Sequence, residues 1–152
     1  MEPLAIPFTN RFWTDTYEAM VTVRGVLRTE PDGLVVEFKR SEWDFSSARK
    51  EDDIHAVHVP WPEVQSLTFR RKLLKRGVLV LRTRSLRTLE SVPAVQGNEL
   101  TLSVSRADGL TARELAATVE LALAEARLAA LEAPESSRAL GTPESPRPLP
   151  PG

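Results

Sequence analysis

The sequence predicts a mainly β fold: an antiparallel barrel of six to seven strands closed by one C-terminal amphipathic helix. Three observations carry that prediction. Short alternating segments recur between Ala19 and Val104, separated by turns rich in Gly and Pro. One long helix-periodic run, Leu110 to Glu132, follows them. No other segment offers the crossover helix that a parallel sheet needs.

The 152 residues suit a single domain. Residues 1–17 hold Ile6, Phe8, Phe12, Trp13 and Tyr17 without a period, and Pro3 and Pro7 discourage regular structure. They are expected to form an arm packed on the domain of residues 18–132. From Ala19 to Arg28 the chain alternates, with Val21, Val23 and Leu27 on one face and Thr22, Arg24 and Arg28 on the other. Gly25 within this strand suggests a bulge or sharp bend. Glu30-Pro31-Asp32-Gly33 is a hairpin turn, with Pro presetting φ and Gly33 expected to take a positive φ. Leu34, Val36 and Phe38 face inward on the return strand. Residues 41–53 are polar and read as a loop carrying Trp43 and Phe45. A strand over 54–59 follows, and Trp61 anchors the connection Pro60–Val64. Leu67 and Phe69, then Leu79 and Leu81, face inward on a hairpin turning at 73–77. Residues 85–98 are irregular, and Leu100, Leu102 and Val104 close the strand series.

The helix is expected to start at Thr111, which with Glu114 forms a capping box, flanked by a Leu110–Leu115 staple. Its buried face is expected to hold Leu115, Val119, Ala122, Leu123, Ala126 and Ala130, with Leu121 and Leu128 widening the stripe. Pro134 should stop it. Residues 133–152 are rich in Pro, Ser and Glu and read as a disordered tail ending in a polyproline-like segment.

The chain has no cysteine, which excludes disulfides and thiolate metal sites and fits a reducing compartment. MEPLAIPFTNRFW carries no secretory pattern, and no apolar run approaches membrane-spanning length. The expected location is therefore cytoplasmic. A formal charge of −1 argues against a general nucleic-acid footprint. Gly-x-Ser-x-Gly elbows, phosphate-cradling loops and metal-ligand clusters are missing from the sequence, so neither an enzyme nor a cofactor is expected. His55 and His58 stand three apart in a strand and point to opposite faces.

The segments DGLVVEF (32–38), VPWPEVQSLTFRR (59–71), GVLVLRTR (77–84) and ELTLSVSR (99–106), leading into the helix, resemble those of small bacterial pleckstrin-homology-like (PH-like or GRAM-like) domains. The resemblance spans about residues 17–131. It implies a barrel stoppered by its last helix and a non-catalytic binding role. Phosphoinositide-binding members carry a basic first hairpin. Here Arg24, Arg28, Lys39 and Arg40 flank Glu30 and Asp32, so headgroup recognition does not carry over to that hairpin.

Two surface features are candidate sites. Trp43 and Phe45 could anchor a protein or peptide partner, because aromatics dominate interface hot spots. Between Val64 and Leu89 the chain carries Arg70, Arg71, Lys72, Lys75, Arg76, Arg82, Arg84 and Arg87 without one acid. Alternation turns Arg70, Lys72, Arg82 and Arg84 outward, where they could meet an anionic lipid surface or another anionic partner. No aromatics interleave with them, which disfavours nucleic acid. The preferred expectation is protein or peptide binding, with anionic-surface binding through residues 70–84 as the alternative.

Overall fold

The computed structural model describes residues 2–14, 18–44, 49–71 and 76–141. Two antiparallel sheets face each other across one apolar core. The first contains β1 (Ala5–Trp13), β2 (Ala19–Glu30), β3 (Gly33–Asp44), β4 (Arg49–Glu51) and β5 (His55–Pro60). Its order is β1-β2-β3, and both β4 and β5 pair with β3. A 3-10 turn at Trp61–Glu63 leads to the second sheet: β6 (Val64–Arg71), β7 (Gly77–Thr83) and β8 (Glu99–Val104), in sequential order. Helix α1 (Gly109–Gly141) then packs mainly on β6. The fold is thus mainly β with one C-terminal helix.

Alternation builds the core as expected. Val21, Val23, Leu27, Leu34, Val36 and Phe38 from one sheet meet Leu67, Leu79, Leu81, Leu100 and Leu102 from the other, all buried. Burying each aliphatic side chain stabilises the fold by about 1.5–3 kcal/mol relative to exposure. Leu115, Val119 and Leu123 of α1 complete the cluster.

Among the described residues no backbone ladder joins the two sheets. Where β1 approaches β8, the Asn10 side chain joins them: Nδ2 donates to the Thr101 carbonyl at 2.8 Å and Oδ1 accepts from the Ser103 amide at 2.9 Å. A carboxamide offers one donor group and one acceptor, so it substitutes for a peptide unit at the seam. On the far side, Trp61 ties the connection between the sheets to the first hairpin. Its Nε1 donates to the Pro31 carbonyl at 3.0 Å and its amide to the Asp32 carbonyl at 3.1 Å. This is the anchor expected of Trp61.

Several local expectations give way. Residues 5–13 form β1 and pair with β2 throughout. Pro7 is tolerated because β1 is an edge strand, where a missing N–H costs no ladder bond on the open side. Gly25 makes no bulge, since the register is continuous through its pairs with Phe8 and Phe38. A Cβ there would collide with the Glu37 carbonyl and lie 2.7 Å from Phe8 Cζ. The glycine lets the Phe8 ring cross its neighbour strand. Gly33 does not take a positive φ; among the described glycines only Gly97 does. It opens β3 opposite Glu30, and its bare Cα admits the Val59 carbonyl of β5. Part of the expected 41–53 loop is strand, with Ser41–Trp43 pairing with Arg49–Glu51.

The helix boundaries also move. Thr111 lies inside α1, and Leu110 is 78% exposed, so neither the capping box nor the staple forms. Ser105 instead donates to Asp108 Oδ2 at 2.6 Å, and the Asp108 amide returns to the Ser105 carbonyl at 3.1 Å. That pair shapes the 3-10 turn Arg106–Asp108 from which α1 grows. The buried face is Ala112, Leu115, Ala116, Val119 and Leu123, whereas Ala126 and Ala130 are exposed, lining an open groove with Trp61, Pro62 and Val64. The helix continues through Pro134 to Gly141. Proline removes one helical hydrogen bond but does not forbid continuation where neighbouring turns hold. The expected tail beyond Gly141 lies outside the described residues.

Candidate functional site: the basic end of the second sheet

The edge of β6 is closed by side chains of α1. Glu120 Oε1 accepts from the Leu67 amide at 3.2 Å, and Arg127 donates to the Gln65 carbonyl at 3.2 Å. Gln65 is the extra residue of a bulge, since the register shifts between Val64 and Ser66. An unpaired edge would invite another strand, and here the Leu67 amide and the Gln65 carbonyl are occupied. The helix therefore leaves the outer face and the two ends of this sheet as its accessible surfaces.

The described basic residues between Val64 and Leu89 do not form one patch. Arg82 lies on the central strand, one residue from its C-terminal end, and its Nε donates to Glu99 Oε2 across the β7–β8 ladder at 2.9 Å. Arg84 follows β7 at the end near Trp61, where it lines a groove of about 380 Å³ with Pro62, Leu123 and Ala126. Arg70 stands opposite Val78, at the other end. At about 3.3 Å per residue, six residues separate these ends by about 20 Å. Arg70 thus parts from Arg84, contrary to the contiguous face that alternation suggests. Lys72 and Lys75 lie outside the described residues.

At the Arg70 end the picture differs. Arg71 reaches the first residue of α1, its Nη2 lying against Gly109. The Arg113 guanidinium sits 5.8 Å from the centroid of the Phe69 ring, within cation–π range. Arg76 and Arg11 line a groove of about 300 Å³ between β1 and β8, with Thr9, Ser103 and Ser105 contributing hydroxyls and Asp108 one carboxylate. The N-terminus of α1 adds the positive end of its macrodipole, and its first turn holds no acid. Among the described residues, Arg11, Arg70, Arg71 and Arg76 make no ion pair. On the first sheet Arg24, like Arg11, makes no ion pair among the described residues, but three other cations are paired. Arg28 pairs with Glu37 and, at 3.2 Å, with Glu30; Lys39 pairs with Glu51 at 3.3 Å; Arg40 pairs with Glu42 at 3.5 Å. The hydrogen bond that Arg28 donates to Glu37 raises the Arg28 pKa above the ordinary arginine value, and the hydrogen bond to Glu30 and its field add to it.

Like charges without partners cost stability unless something offsets them. Part of the offset is packing. Arg70 faces Val78 across the ladder, and Val78 is buried although it points away from the core. An arginine stem beside such a neighbour can give it apolar cover while its head stays in water.

A second cluster escaped the sequence. His58 Nε2 lies 3.2 Å from Asp32 Oδ1, and Glu30, Asp32 and His58 hold ligand atoms within 4.8 Å of one another. The β3–β5 pairing brings His58 under the first turn, a long-range contact that no local spacing reveals. Glu30 is already engaged by Arg28, and the group lies at the surface. His55 is on the opposite face, as expected, and stacks on Phe38 with centroids 5.5 Å apart. Trp43 is 46% exposed on β3, opposite Met20 and Arg49, whereas Phe45 lies outside the described residues. No described helix is long and apolar enough to cross a membrane. Comparison of the chain with protein-family models, with curated proteins and with solved structures gave no match.

Proposed function

We propose that this chain is a non-catalytic, PH-like binding module, and that its partner is a protein or peptide carrying clustered negative charge. The observation that carries the reading is the contrast in counter-ions. Arg28, Lys39 and Arg40 of the first sheet are paired with acids, while Arg70, Arg71 and Arg76, with Arg11 beside Arg76, gather at one end of the second sheet without an ion pair among the described residues. The PH-like part of the proposal is supported by the order of elements: one sheet of N-terminal strands, a three-stranded sheet, then a terminal helix against it. A recessed groove between β1 and β8 favours an acidic side chain or phosphorylated residue over a flat membrane.

The test is a titration of fluorescein-labelled hexaglutamate against the full chain at low ionic strength. Neutralising Arg70, Arg71 and Arg76 together to Gln should weaken binding about tenfold, at about 0.5 kcal/mol for each exposed pair lost. Arg82→Gln should leave it unchanged, because Arg82 is already paired with Glu99. Hexaglutamate that does not bind, or that binds the triple variant equally well, refutes the reading. Binding to phosphatidylserine vesicles without peptide binding would transfer the site to a lipid partner.

A further inference from the structure

Helix α1 has two apolar faces, and the sheets bury only one. Directly opposite the buried Leu115–Leu123 stripe run Leu110, Ala117, Leu121, Ala124, Leu128 and Leu131. With Glu114 they are spaced alternately by four and three residues, the heptad seam of a coiled coil. Leu121 and Leu128 are each 61% exposed and Leu131 is 71% exposed. Every residue from Ala124 to Glu132 is exposed, yet the helix runs on to Gly141. Helix as exposed as Ala124–Glu132 is marginal in water without packing.

From this we infer that α1 pairs antiparallel with α1 of a second copy of this chain. A heptad seam is complementary to another heptad seam, and the flanking charges select the copy and its direction. In the antiparallel register centred between Ala122 and Leu123, Leu121 faces Ala124 of the partner subunit and Leu128 faces Ala117 of the partner subunit. Each of these two leucines meets an alanine, and Leu131 faces Glu114 of the partner subunit. Glu120 then lies beside Arg127 of the partner subunit, twice by symmetry, and no like charges flank the seam. A parallel pair sets Glu120 beside Glu125 of the partner subunit. Sliding the antiparallel pair by one heptad sets Arg127 against Arg127 of the partner subunit, or Glu120 against Glu120 of the partner subunit. Each alternative is repulsive. Beside Leu121 lies a groove of about 620 Å³, bordered by Leu4, Ala117 and Ala122. Leu128 of the partner subunit arrives at Ala117, at that groove. The intramolecular bonds of Glu120 and Arg127 each use a single atom, so a second oxygen and further guanidinium N–H groups are left for the pairing. This inference is independent of the basic end and of its partner.

Sedimentation equilibrium of the full chain tests it. The expected mass at tens of micromolar is twice the 16.9 kDa of one chain. Leu128→Asp, placed beyond the last buried residue of α1, should return the monomer mass with an unchanged far-UV spectrum. A monomer at every concentration overturns the inference, as does a dimer that Leu128→Asp leaves intact. Direction is read by cross-linking, which the absence of native cysteine makes clean. An oxidised mixture of Glu114→Cys and Leu131→Cys chains should form the mixed disulfide. Leu131→Cys alone should not link to itself. A Leu131→Cys homodimer would establish the parallel pair and overturn the antiparallel one.

Discussion

Replacing Glu120 by Ala isolates what α1 does for the edge of β6. Position 120 is exposed and helical, so by sequence alone the change is close to neutral, since alanine is the better helix former. The structure says otherwise. Oε1 of Glu120 is the acceptor for the Leu67 amide, a partly buried edge donor on a strand whose own side chain is fully buried. A hydrogen bond to a charged group contributes about 1.5–3 kcal/mol when buried, and solvent at the helix surface reduces this to about 1–2 kcal/mol. For a domain of this size that corresponds to a melting shift of about 2–8 °C. Urea unfolding at low micromolar chain, below the concentration at which a second copy would bind, gives the value. Glu120→Gln retains an acceptor and should recover most of the loss. Glu114→Ala, an exposed acid of the same helix without a described hydrogen bond, is the control. If Glu120→Ala and Glu114→Ala unfold at the same urea concentration, the side-chain closure of β6 contributes nothing and the reasoning fails.

Other expectations follow from the same contacts. Leu123→Asp should unfold the domain in calorimetry, because it places a carboxylate in the core with no partner. Asn10→Ala removes both bonds at the β1–β8 seam and should cost about 1–3 kcal/mol in urea unfolding, with faster exchange of the Ser103 amide proton. Asn10→Asp keeps only the acceptor, so the Ser103 amide should stay slow while stability still falls. Gly25→Ala should cost about 1–3 kcal/mol, since the new methyl must displace either the Glu37 carbonyl or the Phe8 ring; a melting point equal to wild type would show that Phe8 does not cross there.

Much of the fold was legible because it depends on local chemistry. Pro31-Asp32 turned the first hairpin, and alternation placed Leu34, Val36, Leu79 and Leu100 inward without reference to their partners. What could not be read was whatever depends on distant pairing. His58 meets Asp32 only through the β3–β5 register, and Arg82 meets Glu99 only through β7–β8. Asn10 and Glu120 are polar residues with no local signal, yet each completes the backbone of a strand far away in sequence. The β1 strand was hidden by Pro7, which an edge position permits. For α1, periodicity was present but degenerate. Leu121 and Leu128 look like flanks of the buried stripe until the sheet shows which side it covers. The candidate site divided along the same line: the basic run is plain in the sequence, while the parting of Arg70 and Arg71 at one end from Arg82 and Arg84 at the other required the register.

The function proposed here rests on uncompensated charge at one end of the second sheet. The most direct measurement is a titration of the isotopically labelled full chain with hexaglutamate, followed by amide shifts at low salt. Shifts confined to Arg70, Arg71, Arg76 and the Ser103–Arg106 segment are the predicted result. Shifts centred on Arg82, on Trp43 or along α1, or a spectrum unchanged at saturating peptide, would contradict it.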